Sequence, residues 1–146
     1  MMSEEKSMKT IVNKRAKFAY ASVKEVVEQE AVEQLTNDDM KKYKSYSKKL
    51  LAMIKINGLA ATLAFMLSKF NKEPAYKILY KHIQKWLENE DCPVNTLYSN
   101  VSSKNNDLIG KVLSFDSNSY RAVTKEIMEF TNWLRRFTEG MIKDEE

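Results

Sequence analysis

Lys41, Lys44, Lys48 and Lys55 recur at helical spacing in a stretch that carries no acidic residue between Asp39 and Glu73. On a helix turning about 100° per residue they fall within a strip about 60° wide, while Tyr43, Tyr46, Leu50, Met53 and Ile54 gather on the other side. Solvated helix faces ordinarily mix both signs, because unlike charges one turn apart support each other and like charges repel. A single-sign strip forgoes that support. Ammonium groups are point charges that neutralise phosphate without reading base edges, so the chemistry such a strip offers is sequence-independent contact with a polyanion. Lys49 on the same helix, and Arg15 and Lys17 in the N-terminal region, extend the candidate set of phosphate-contacting residues. An ordinary solvated face and a docking surface for an acidic protein are the two rival readings of the same residues. Tyr20, Tyr43, Tyr46 and Phe18 could stack bases, but their helical spacing assigns them first to a core.

Catalytic chemistry has far less to work with. A triad, a histidine base or a metal centre needs several convergent groups, and the chain offers one histidine, His82, and one cysteine, Cys92. His82 falls off the apolar stripe of its helix and reads as a surface or half-buried residue. Glu126 and Glu129 share a helix face, but Lys125 between them makes solvated ion pairing the expected arrangement. Gly58, Gly110 and Gly140 stand apart from one another, so no glycine-rich phosphate loop exists. The expectation is a chain that is no enzyme, with no cofactor and no metal site.

The elements that must position the lysines follow from periodicity and punctuation. Ser3 is placed to cap a first helix running to about Glu33, with Ala16, Ala19, Val23, Val26 and Val27 recurring along it. That helix is basic early, through Lys6, Lys9, Lys14, Arg15 and Lys17, and acidic late, through Glu25, Glu28, Glu30 and Glu33. Thr36, Asn37 and Asp38 form a capping cluster before the lysine-bearing helix, which Asn57 and Gly58 end. A strongly apolar third helix follows from Leu59, and a fourth begins at Pro74 with Tyr76, Leu79, Tyr80, Ile83 and Leu87 as its stripe. Asp91 to Asp107 is polar and reads as a connection holding at most one short helical turn. After a short helix at Leu108 to Phe115, Asp116 or Ser117 caps a long final helix. Its Tyr120, Val123, Ile127, Phe130, Leu134, Phe137 and Met141 alternate steps of three and four, a seam expected to face the core of a bundle.

Length and composition set the frame for these elements. A chain of 146 residues with 43% hydrophobic and 30% charged residues buries a core without staples, as one helical domain spanning 1–146 with frayed ends at 1–6 and 143–146. Three glycines and two prolines are few for a protein of many short strands, which favours long helices. A net charge of +4 is too small to indicate nucleic acid by itself, so the segregation of charge matters more than its total. One cysteine excludes an internal disulfide and fits a reducing compartment. The longest apolar run, Leu59 to Leu67, is about half of what a membrane span needs, and no apolar signal core follows Ser3, Glu4, Glu5 and Lys6. A cytoplasmic protein with no membrane partner is the expectation.

Several segments taken together resemble the small all-helical subunit of the type III-B CRISPR RNA-guided effector, the Cmr complex. The resemblance rests on Arg15-Ala16-x-x-Ala19-Tyr20 and on Lys48-x-Leu50-x-x-Met53-Ile54-x-x-Asn57-Gly58-Leu59-x-x-Thr62-Leu63-Ala64-Phe65. It continues in Tyr80-x-x-Ile83-x-x-Trp86-Leu87, in Tyr120-Arg121-x-x-Thr124-x-Glu126 and in Asn132-Trp133-Leu134-Arg135-Arg136-Phe137-x-x-Gly140. One departure is visible, since family members often have Leu-Pro where this chain has Leu50-Leu51. The resemblance implies an all-α, compact bundle of about six helices without an active site, serving antiviral defence. Its partners would be the other subunits of the effector, further copies of itself in a head-to-tail stack, and crRNA with target RNA. Ile78 and Trp133, apolar and off the seams, are candidates for the contacts between subunits.

Overall fold

The computed structural model describes residues 2–28, 35–102 and 107–143, with side chains in the first segment described from Met8 onward. Among them are seven helices and no strand: α1 (Met2–Val27), α2 (Asn37–Asn57), α3 (Leu59–Ser68), α4 (Pro74–Glu88), α5 (Asn95–Asn100), α6 (Leu108–Ser114) and α7 (Ser117–Met141). The all-α bundle expected from the sequence is therefore the observed architecture. α5 supplies the single short helical piece allowed for in the polar connection. Ser103, Asn105 and Asn106 of that connection lie outside the described residues, as do Met1 and residues 144–146 of the expected frayed ends.

The helix boundaries follow local chemistry. Thr36 caps α2 in a reciprocal box: its hydroxyl accepts from the Asp39 amide at 3.1 Å, and the Asp39 carboxylate accepts from the Thr36 amide at 3.1 Å. Asp116 caps α7 by accepting from the Ser119 amide at 2.7 Å. Gly58 separates α2 from α3 at φ 87° and ψ 163°, a conformation that side-chain-bearing residues rarely adopt. One boundary differs from expectation at the start of the chain. α1 is already helical at Met2, so Ser3 lies inside the helix and not at its N-cap position, and the helix is described as far as Val27. The expected continuation through Glu30 and Glu33 lies outside the described residues.

α7 is the central strut, packing along α1 on one side and α2 on another. Arg15, Phe18 and Tyr20 meet Glu126, Phe130 and Phe137 in that order, so α1 and α7 run the same way. Lys44 and Lys48 meet Ile142 and Glu139, so α2 runs opposite to α7. The seam expected for α7 faces inward, with Val123, Ile127, Phe130 and Leu134 fully buried. α4 lies against α2 and α3 and is buried around most of its circumference. Its Trp86 stacks on Phe130 at 5.7 Å and meets Phe18 at 5.2 Å between ring centres, joining α1, α4 and α7 in one aromatic contact. A second cluster, in which Tyr76 lies parallel to Tyr46 at 3.8 Å and edge-on to Phe65, joins α2, α3 and α4.

Candidate nucleic-acid interface

The lysines of α2 do not all project into solvent, because α7 lies along part of the face they were expected to keep open. Lys44 is buried, and its ammonium donates at 2.8 Å to the carbonyl of Ile142, just past the end of α7. A cation there satisfies a terminal carbonyl and meets the negative end of the helix dipole. Lys48 pairs with Glu139 of α7 at 2.6 Å, and that hydrogen bond holds the Glu139 carboxyl below its ordinary value. Lys42 pairs with Asp38 one turn earlier at 3.3 Å. Lys41 is half-buried beside a shallow cleft formed by Val27, Asn37, Met40, Met141, Ile142 and Lys143. Lys49 and Lys55 are exposed on α2, and Lys17 is exposed on α1.

Arg15 belongs to the interior, contrary to its place in the expected basic face. Its Nε and Nη2 each donate at 2.6 Å to the two oxygens of Glu126, and the indole Nε1–H of Trp86 donates to Oε2 at 3.0 Å. The bond to Glu126 raises the Arg15 guanidinium above its ordinary value, against the opposing effect of burial. Glu126 is correspondingly buried at 5% exposure and forms no solvated pair with its helical neighbours. The sequence offered no sign of this, because i,i+4 bookkeeping sees only one helix while the partners come from α1 and α4.

His82 is a second correction. It is 3% exposed and lies between Tyr43 of α2 and Glu25 of α1. The Glu25 carboxylate can only accept, which assigns the proton to Nε2 at 3.1 Å and leaves Nδ1 to accept from the Tyr43 hydroxyl at 2.8 Å. This is a satisfied internal relay joining three helices. Cys92 is buried as well, and desolvation pushes its thiol up to about 12, away from nucleophilic or metal-binding chemistry near neutral pH. Among the described residues, no group of three or more His, Cys, Asp or Glu side chains is disposed to hold a metal ion. No described helix is long and apolar enough to cross a membrane.

The two candidate interface residues separate in the same way. Ile78 is 5% exposed and part of the core, since the third of α4 that it occupies is covered by the bundle. Trp133 is half-buried on α7, stacked against Phe137 at 5.7 Å with the Arg136 guanidinium 5.1 Å over its ring, and Tyr20 of α1 meets Phe137 edge-on at 5.5 Å. This partly open aromatic patch lies where α1 and α7 run together.

The compact, strand-free helical bundle formed by the described residues is the architecture that the resemblance implied. A family model described as CRISPR-associated protein (Cas_Cmr5) matches residues 11–141. The chain belongs to the Cas_Cmr5 family. It is accordingly a small subunit of the type III-B Cmr complex, and the other subunits of that complex are its partners. The match runs from α1 through the end of α7, so the Cas_Cmr5 assignment rests on the whole bundle and not on a local motif.

Proposed function

We propose that this chain is a non-catalytic, cytoplasmic scaffolding subunit that stacks along the backbone subunits of the Cmr effector and offers cationic side chains to crRNA and target RNA. The observation that carries the reading is the family match over residues 11–141, to which the segregated lysines of α2 add a physical role. Lys49, Lys55 and Lys17 are the contacts assigned to RNA, with Lys41 beside them. Arg15 and Lys44 are withdrawn from that set because both are buried on internal acceptors. Lys48 contributes only where RNA phosphate displaces Glu139.

The energetics favour a collective role. Three lysine contacts on a single strand give a salt slope of about 2, at about 0.7 per contact, so one copy binds feebly. Stacked copies present the next set at high effective concentration, and weak contacts add along the strand. Head-to-tail stacking needs a heterologous interface, for which the patch of Trp133, Phe137 and Tyr20 has suitable chemistry, being aromatic with the Arg136 guanidinium over one ring.

Charge reversal of Lys49 and Lys55 together tests the proposal in the assembled effector. RNA retention is expected to weaken, with a shallower salt dependence and an unchanged circular dichroism spectrum. Equal retention at two salt concentrations would overturn this assignment of contacts. Loss of the subunit from the complex would favour an acidic protein partner for the same face.

A further inference from the structure

α4 holds a row of cations that the sequence pattern did not single out. Buried around most of its circumference, the helix leaves one narrow edge in solvent, and that edge carries Lys77, Lys81 and Lys85 in succession, all three exposed. Among the described residues none of the three makes a hydrogen bond or ion pair. Nearby carboxylates are otherwise engaged or terminal: Glu73 accepts from the Tyr46 hydroxyl at 2.7 Å, Glu25 is held by His82 while sensing Lys85, and Glu88 stands at the end of the helix.

Like charges one turn apart oppose helix formation by a few tenths of a kcal/mol, and an edge needed only for solubility escapes that cost by alternating signs. Glu73 and Glu88 bound this edge, but no acidic residue interrupts the run from Lys77 to Lys85. Successive lysines rise about 6 Å along the axis, close to the spacing of neighbouring phosphates on a nucleic-acid strand. Protein-docking surfaces, in contrast, centre on apolar or aromatic side chains with charge at the rim. Among the described residues, the large exposed hydrophobics, such as Met8, Ile56, Phe65 and Leu113, all lie on other helices.

We propose that Lys77, Lys81 and Lys85 form a linear phosphate track for three consecutive nucleotides of an RNA strand, separate from the lysines of α2. The proposal rests on the reading of the chain as an RNA-holding subunit and adds a second location for the strand. Contact is with the backbone alone, so it is indifferent to base sequence.

The test uses the assembled effector carrying K77Q/K81Q/K85Q, compared with K49E/K55E and the parent. Removing three single-strand contacts lowers the salt slope by about 2, so the parent's advantage in RNA retention shrinks about twentyfold between 50 and 200 mM salt. In the parent complex, bound RNA should also protect all three lysines from acetylation, a readout that needs no variant. If the α4 variant matches the parent and RNA leaves its lysines reactive while K49E/K55E weakens binding, the track is overturned and the proposed function stands. If neither variant changes retention, both readings fail. If the α4 variant is lost from the complex although it folds, the edge docks a protein and the track is likewise overturned.

Discussion

Arg15 and Glu126 show how much a single buried pair decides. Two ions removed from water are tolerated because each carboxylate oxygen accepts from Arg15 and one also accepts from Trp86. Removing one partner leaves an uncompensated charge, so Arg15→Met is expected to cost about 3–5 kcal/mol in urea unfolding, and Arg15→Met with Glu126→Gln appreciably less. A double variant whose cost equals the sum of the two single costs would show that the pair is not coupled. The Glu25, His82 and Tyr43 relay gives a pH signature. The hydrogen bond from His82 holds the Glu25 carboxyl below its usual 4.5, despite the opposing effect of burial. A depressed carboxylate contributes stability that is present above its unfolded value and lost as pH falls through the folded one. The urea midpoint is therefore expected to drop on acidification below about pH 5, and Glu25→Gln, which keeps an acceptor for Nε2–H, to flatten part of that drop.

At the scale of elements, the junction between α2 and α3 depends on one residue. Gly58 adopts φ 87° and ψ 163°, and the Tyr120 hydroxyl beside it accepts from the Ala60 amide at 3.0 Å, tying the start of α3 to the first turn of α7. An alanine there has its new Cβ 3.7 Å from that hydroxyl, which is ordinary contact, so the cost is conformational. Gly58→Ala is expected to destabilise by about 1–3 kcal/mol. Gly140, inside the last turn of α7 with open space where a Cβ would go, should respond in the opposite sense, gaining about 0.5–1 kcal/mol as alanine. Thermal unfolding of the two variants checks both signs at once.

At the scale of the whole molecule, its faces differ in chemistry. The α1 and α7 side carries the Tyr20, Trp133, Phe137 and Arg136 patch, α2 exposes Lys49 and Lys55, and the open edge of α4 carries its three lysines. Such a division suits a part that touches protein on one surface and polyanion on others. Trp133→Ala is expected to reduce the number of subunit copies recovered in the purified effector while leaving the free chain's unfolding free energy within about 1 kcal/mol of the parent, since the ring is only half-buried. Quantitative mass measurement of the complex, beside thermal unfolding of the free chain, separates an interface role from a packing role.

The helices and most of their ends were legible without coordinates, because periodicity, caps and breakers are local: Thr36, Gly58, Pro74 and Asp116 mark boundaries through their own backbone preferences. The inward seam of α7 and the family resemblance were legible for the same reason, being patterns along one chain direction. The fate of individual charges was not. Lys44, Lys48, Arg15, Glu126 and His82 all find partners distant in sequence, so whether an ionisable side chain meets water or another group was decided only when α1, α2, α4 and α7 were packed together. A helix's own pattern determines that it has a polar face, but the neighbours packed against it decide how much of that face stays in solvent.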